Sequence, residues 1–198
     1  MPVRIACVVE GHGEMESVPI LIRRIAATLD VALTVQIPHP VRITKSKLLK
    51  PGELERAVQF AALRAGAGGG ILVILDGDDD CPAQLGPALL ARTRAARRDL
   101  ASAVVIANRE FESWFLAAAR SLAGHKGLRH DLASPNEPEG IRGAKQWLAD
   151  RSSTNAYSPT ADQASLTAVF DLEAARLAPS FDKCYREVTS LLARLRAR

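Results

Sequence analysis

Ile71-Leu72-Val73-Ile74-Leu75 is an uninterrupted apolar run that leads directly into Asp76-Gly77-Asp78-Asp79-Asp80. A short run of this kind, rich in β-branched residues and bounded by glycine, predicts a strand buried on both faces, as in a parallel sheet. The C-terminal edge of an open α/β sheet is where ligands bind. Carboxylates crowded at that edge predict a metal site.

The rest of the chain supplies strands to accompany this one. Val3 to Val9 is strand-like and ends in Glu10-Gly11-His12-Gly13-Glu14. Ser17 is positioned to cap a following helix, with Pro19 in its first turn and Leu21, Ile22, Ile25 and Leu29 on one face. Thr34 to Ile37 reads as a second strand, closed by Pro38-His39-Pro40 and followed by a basic loop with Lys45, Lys47 and Lys50. Pro51 opens a helix with Leu54, Ala57, Val58, Ala61 and Ala62 on its apolar face. Ala83 to Asp99 reads as an amphipathic helix with Arg94, Arg97 and Arg98 outward, and Ala103 to Ala107 as the fourth strand, followed by Glu110 and Glu112. Strands separated by helices predict an α/β fold of Rossmann-like type. Its central sheet is mostly parallel, with about four strands and helices on both faces.

The 198 residues are enough for one core, so residues 1–198 are expected to form a single domain. Prolines at 135, 138 and 159 mark residues 124–160 as a loop-rich insertion or lid. Residues 161–198 are expected to be C-terminal helices. One would start at a Thr160/Gln163 capping box and run toward Leu177, and the last would carry Phe181, Tyr185, Val188, Leu192 and Leu195.

Composition narrows the function classes. No apolar run approaches the roughly 20 residues that span a bilayer, which predicts a cytoplasmic protein with no membrane partner. Cys7, Cys81 and Cys184 fall in no disulfide or zinc spacing and read as reduced packing residues. The net charge of +4 is carried largely by arginine, in clusters at Arg92, Arg94, Arg97 and Arg98 and at Arg194, Arg196 and Arg198. Such clusters suit either a polyanionic partner or a solvated helix face.

In a parallel sheet the acidic strand ends at Glu10, Asp76 and Glu110 or Glu112 share one edge. Carboxylates brought together repel one another, and a hard divalent cation relieves that repulsion. All-oxygen donors suit Mg²⁺ or Mn²⁺. An EF-hand starting at Asp76 fails, because its sixth and twelfth positions are Cys81 and Pro87. No phosphate-binding GxxxxGK[ST] loop is present, and the glutamates around Gly11 and Gly13 would repel a dinucleotide pyrophosphate.

Glu-Gly after the first strand with Asp-x-Asp after a later one resembles the Toprim domain of topoisomerases, primases and OLD-type nucleases. Four blocks carry a closer resemblance: Val8 to Glu14, Leu75 to Pro82, Ala107 to Phe115 and Tyr157 to Gln163. Together they are similar to the Toprim-like family called domain of unknown function 4276. The resemblance implies a Mg²⁺-dependent phosphoryl-transfer centre. Glu10 would be general acid/base or ligand, Asp76 and Asp78 would hold metal, and Glu14 would match a second metal-binding glutamate of OLD-type nucleases. Asp80 and Glu112 are further candidate ligands. His12, Arg109 and Lys183 are candidates for substrate binding, and Lys145 joins Glu10 in the catalytic set. The family's frequent neighbours imply an AAA-type ATPase partner, and a homodimer is compatible with the reading.

The expected activity is hydrolysis of nucleic-acid phosphodiesters, DNA ahead of RNA, in a phage-defence or DNA-repair setting. The rival is a non-catalytic Toprim module that binds metal or protein, motivated by a net charge too modest to announce a basic nuclease groove. Hydrolysis of a small phosphorylated metabolite is the third reading.

Overall fold

The computed structural model describes residues 2–197, so Arg198 of the terminal arginine cluster lies outside the described residues. Strand β1 (Val3–Val9) is followed by helix α1 (Glu14–Leu29), strands β2 (Val35–Gln36) and β3 (Val41–Arg42), and helices α2 (Lys45–Leu48) and α3 (Glu53–Ala65). Next come β4 (Gly70–Asp76), α4 (Pro82–Ala96), β5 (Ala101–Ala107) and α5 (Ser113–Ala117). Helix α6 (Ala144–Ala149), a π-turn at Pro159–Gln163, α7 (Ala164–Val169), α8 (Leu172–Ala175) and α9 (Pro179–Arg196) complete the chain.

The sheet is parallel in the order β2-β1-β4-β5, with β3 also on β1. Val3 pairs with Val35 at one end of β1 and Val8 with Val41 at the other, so β2 and β3 share one neighbour across the Pro38-His39-Pro40 break. The sheet therefore has five strands, one beyond the sequence reading, and the proline-containing break divides the edge.

Strand residues alternate between two cores. Ile5, Cys7, Val9, Leu72, Ile74, Ala103 and Val105 face α1, α5 and α9, whereas Ala6, Val8, Ile71, Val73, Leu75, Val104 and Ile106 face α3 and α4. An aromatic group of Phe111, Trp114, Phe115, Phe170 and Phe181 fills the first core in tilted and edge-to-face contacts.

Local expectations differ from the structure where tertiary contacts intervene. Helix α1 starts at Glu14, so Ser17 is not its cap. The Ser17 hydroxyl lies 2.8 Å from Gly13 O and 3.0 Å from Gln163 Oε1. The Thr160/Gln163 capping box does not form, because Gln163 is buried and turned into the interior. The long helix expected toward Leu177 is interrupted at Phe170, whose backbone is extended while its ring packs on Phe115 and Phe181. Asp171 then caps α8, accepting the N–H groups of Glu173 and Ala174. Part of the basic loop is helical and draws Lys45 inside. Cys81 is exposed rather than packed, while Cys7 and Cys184 are buried thiols. Arg92 bonds Glu55 of α3 and Arg97 bonds Asp99, so these two arginines are internally paired.

Among the described residues no helix is long and apolar enough to cross a membrane.

Gly13 marks the closest approach of the first turn to the π-turn, since a Cβ there would lie 2.4 Å from Gln163 Oε1 and 2.6 Å from Pro159 O. Gly13→Ala is expected to destabilise the fold by about 1–3 kcal/mol through this overpacking, measured by urea unfolding.

Candidate functional site

The parallel register carries Asp76 to the end of β4 opposite Ala107, and Glu10 follows β1 at the same sheet edge. Each acidic side chain there has a defined hold. Glu14 is 4% exposed and folds back over its own turn, its Oε2 accepting the N–H groups of Glu10 (2.9 Å) and Gly11 (3.1 Å). Glu10 Oε1 accepts the Lys45 N–H at 3.1 Å, while Glu10 Oε2 is buried without a hydrogen-bond partner. Asp76 Oδ1 accepts the Phe111 N–H at 2.8 Å. Glu112 is fully buried, with Oε1 accepting from Tyr157 Oη (2.9 Å) and Gln163 Nε2 (3.1 Å).

One ammonium serves this group. Lys145 Nζ stands 2.9 Å from Glu110 Oε2, 3.0 Å from Glu112 Oε2 and 3.8 Å from Asp76 Oδ2. The contact to Glu112 Oε2 is an ion pair to the oxygen that Tyr157 and Gln163 do not bond. Glu110 Oε1 also accepts the Ala144 N–H, anchoring the start of α6 to the site.

Electrostatics follow from this crowding. Burial, with repulsion from Glu14 and Glu112, raises the Asp76 carboxyl well above its ordinary range, against the opposing pull of Lys145 and the Phe111 N–H. Burial pushes Glu14 up to about 7, opposed by the N–H groups of Gly11 and Glu10 and reinforced by Glu112 and Glu10. For Lys145, burial favours the neutral amine, but Glu112, Asp76 and Glu110 outweigh it and raise the ammonium's pKa. Burial and the Glu112 carboxylate raise the Tyr157 phenol, which stays a hydrogen-bond donor.

The remaining sequence candidates fall elsewhere. Asp78 and Asp80 are exposed and pair with Lys45 Nζ at 3.0 and 2.9 Å, apart from the ammonium that serves Asp76. The turn past β4 carries Asp78 to Lys45, whereas Asp76 stays with Lys145 and the Phe111 N–H. His12 is exposed in the β1–α1 turn. Arg109 contacts Asp79 at 3.2 Å. Lys183 pairs with Glu187 along α9 and has no bond to the carboxylate group.

Lys45, Tyr157 and Gln163 are site residues that sequence reasoning did not single out. Lys45 is 7% exposed and ties two acidic segments together, its N–H on Glu10 and its ammonium on Gly77 O, Asp78 and Asp80. Nothing in the Lys45, Lys47, Lys50 spacing distinguishes the inward lysine. Tyr157 and Gln163 bound the fourth sequence block, and that block was the available signal.

Among the described residues no three or more His, Cys, Asp or Glu side chains already form a metal-binding group. In donor type the residues do fit a hard cation: the available atoms are carboxylate oxygens, and Glu10 Oε2 is an orphaned buried acceptor.

The sequence model of one family, described as a domain of unknown function (DUF4276), matches residues 9–188. No curated protein and no solved structure matches the chain.

The raised Glu14 carboxyl gives a signed pH dependence. Its unfolded value is near 4.5 and its folded value about 7, so across that interval the native state binds more protons than the unfolded chain. The stability linked to this proton is full below the unfolded value and is lost as pH rises toward 7. Thermal unfolding in EDTA is expected to show wild type losing more stability than Glu14→Gln between about pH 5 and about pH 8, the difference being on the order of 3 kcal/mol.

Proposed function

The chain belongs to the DUF4276 family, and we propose that it is a Mg²⁺- or Mn²⁺-dependent phosphodiester hydrolase acting on nucleic acid, DNA in preference to RNA. The observation that carries this reading is the group of buried carboxylates at the C-terminal sheet edge, with Glu10 Oε2 buried and unpartnered. Such an arrangement is costly without a cation to neutralise it. The Toprim-like order of Glu10 after β1 and Asp76 at the end of the neighbouring parallel strand β4 supports the same chemistry, and with it an assembly containing an AAA-type ATPase.

Glu10, Glu14, Asp76 and Glu112 are the residues that would hold the ion. When bound, a divalent ion supplies charge neutralisation at the diester and a lowered pKa for a bound water. Glu10 Oε2, free of competing hydrogen bonds, is the atom that would take the proton from an attacking water. The Phe111 N–H fixes Asp76 Oδ1 and leaves Oδ2 on the side of Lys145. Tyr157 and Gln163 fix Glu112 Oε1 and leave Oε2 to Lys145. Lys145, held cationic by its carboxylate partners, would offset negative charge at the substrate phosphate.

A specific observation favours the second reading, a non-catalytic binding module. The Lys145 ammonium already stands within 4 Å of three carboxylates, where a divalent ion would have to compete with it.

Cleavage of labelled single- and double-stranded DNA and RNA with Mg²⁺ or Mn²⁺ separates the two. The hydrolase reading expects cleavage by wild type and a loss of at least about 100-fold in Glu10→Ala and in Asp76→Ala, the scale of a removed acid/base or ligand group. Calorimetric Mn²⁺ binding that vanishes in Asp76→Ala without any cleavage, tested with a neighbouring ATPase present, would establish the module instead.

A further inference from the structure

Two guanidinium groups converge on one exposed carboxylate at the rim of the site. Asp79 Oδ1 accepts from Arg109 Nη1 at 3.2 Å and from Arg142 Nη1 at 2.9 Å. The Asp79 side chain is 77% exposed and Arg142 72%, whereas Arg109 is 27% exposed. Two positive charges thus share a single negative one, through one oxygen, in contact with water. Ion pairs in that setting hold weakly, so an anion offered in place of Asp79 competes readily.

The backbone fixes the position of Arg109. Arg109 has φ +66, a left-handed conformation that a non-glycine residue adopts at some cost. It is held there because its carbonyl accepts the Asp78 N–H at 2.9 Å, while the neighbouring Gly77 N–H bonds Ala107 O at 2.9 Å. A Cβ on Gly77 would stand 2.7 Å from Ala107 O, so the close approach of the two loops requires glycine. Arg142 arrives from the other side, two residues before Ala144, whose N–H bonds Glu110, and three before Lys145, whose ammonium bonds the same carboxylate. Both arms of the pair are therefore tied to Glu110 at the edge of the candidate site.

We propose that Arg109 and Arg142 form a clamp for a backbone phosphate of a nucleic-acid strand, and that Asp79 fills this clamp in the free protein as an internal substitute for the phosphate. The proposal rests on the phosphodiester reading above. A phosphodiester has one negative charge and two non-bridging oxygens, one for each guanidinium, a match that Asp79 makes through only one of its oxygens. Binding exchanges Asp79 for the strand and leaves Glu10, Asp76 and Lys145 undisturbed.

The test is fluorescence anisotropy of a labelled single-stranded DNA oligonucleotide in EDTA at about 0.1 M salt, with thermal melts confirming that each variant is folded. For single strands each phosphate contact contributes about 0.7 to the slope of log K against log salt, which corresponds to roughly fivefold in affinity at about 0.1 M. Arg109→Ala and Arg142→Ala are each expected to weaken binding, and the double variant to lose the whole contact, roughly fivefold in affinity and about 0.7 in slope. Asp79→Asn is expected to tighten binding, and to lose that gain when both arginines are alanine. Asp131→Asn, the same charge change at an exposed carboxylate paired with Arg129, is the control and should bind like wild type. The clamp is overturned if Asp79→Asn binds no tighter than the control, if the arginine variants retain wild-type affinity and slope, or if wild type binds no oligonucleotide. Metal-dependent cleavage with an intact response to Glu10→Ala, alongside any of those results, leaves the hydrolase standing and removes only the clamp. Clamp-dependent binding without cleavage does the reverse.

Discussion

Negative charge buried at one edge of a parallel sheet is the condition to which the rest of this structure answers. Glu112 has no exposed surface, Glu14 has little, and both repel Asp76 at the end of β4. An unpaired buried carboxylate is strongly unfavourable, so each one is given N–H, O–H or ammonium partners. Three of those partners come from the 144–163 region. Lys145 comes from α6, Tyr157 from the loop before the π-turn, and Gln163 from the π-turn itself. The carboxylates thus organise the 144–163 region as much as the apolar contacts of Leu148 and Leu166 do.

Two lysines divide the acidic residues between them. Lys145 gathers Asp76, Glu110 and Glu112 on one side, and Lys45 gathers Asp78 and Asp80 on the other. Glu10 is bonded to the Lys45 N–H through one oxygen and unpartnered at the other. This division explains how one short acidic run serves two environments: Asp76 belongs to the buried group, while Asp78 to Asp80 face solvent. It also gives the site two internal cations that a ligand of either sign must work around. A divalent cation would compete with ammonium groups, and an anionic substrate would be drawn to them.

Much of this was legible from local pattern. The apolar runs at 3–9, 71–75 and 103–107 became β1, β4 and β5, because a continuous β-branched stretch has no amphipathic alternative once helices cover both sheet faces. The C-terminal helix after Pro179 followed from its apolar spacing and its N-terminal proline. The break at Phe170 was not legible, since the Ala164 to Ala175 segment carries no breaker and the interruption comes from burying one ring among Phe115 and Phe181. Ser17 and Gln163 were misread as caps for the same reason. Each carries a capping side chain, and each is instead a partner of the other across 146 residues of sequence.

The sequence by itself determined the α/β class, the parallel direction of the main strands and the placing of Glu10, Asp76 and Glu110 or Glu112 at one sheet edge, because strand direction and side-chain period follow from local pattern. Only the tertiary structure decided which cation each carboxylate meets. Lys45, Lys47 and Lys50 are alike in the chain, yet the α2 turn buries Lys45 against Gly77 while Lys47 stays at the surface. Ion pairing depends on distances of a few ångströms between segments far apart in sequence, and those distances are set by how the whole sheet edge packs.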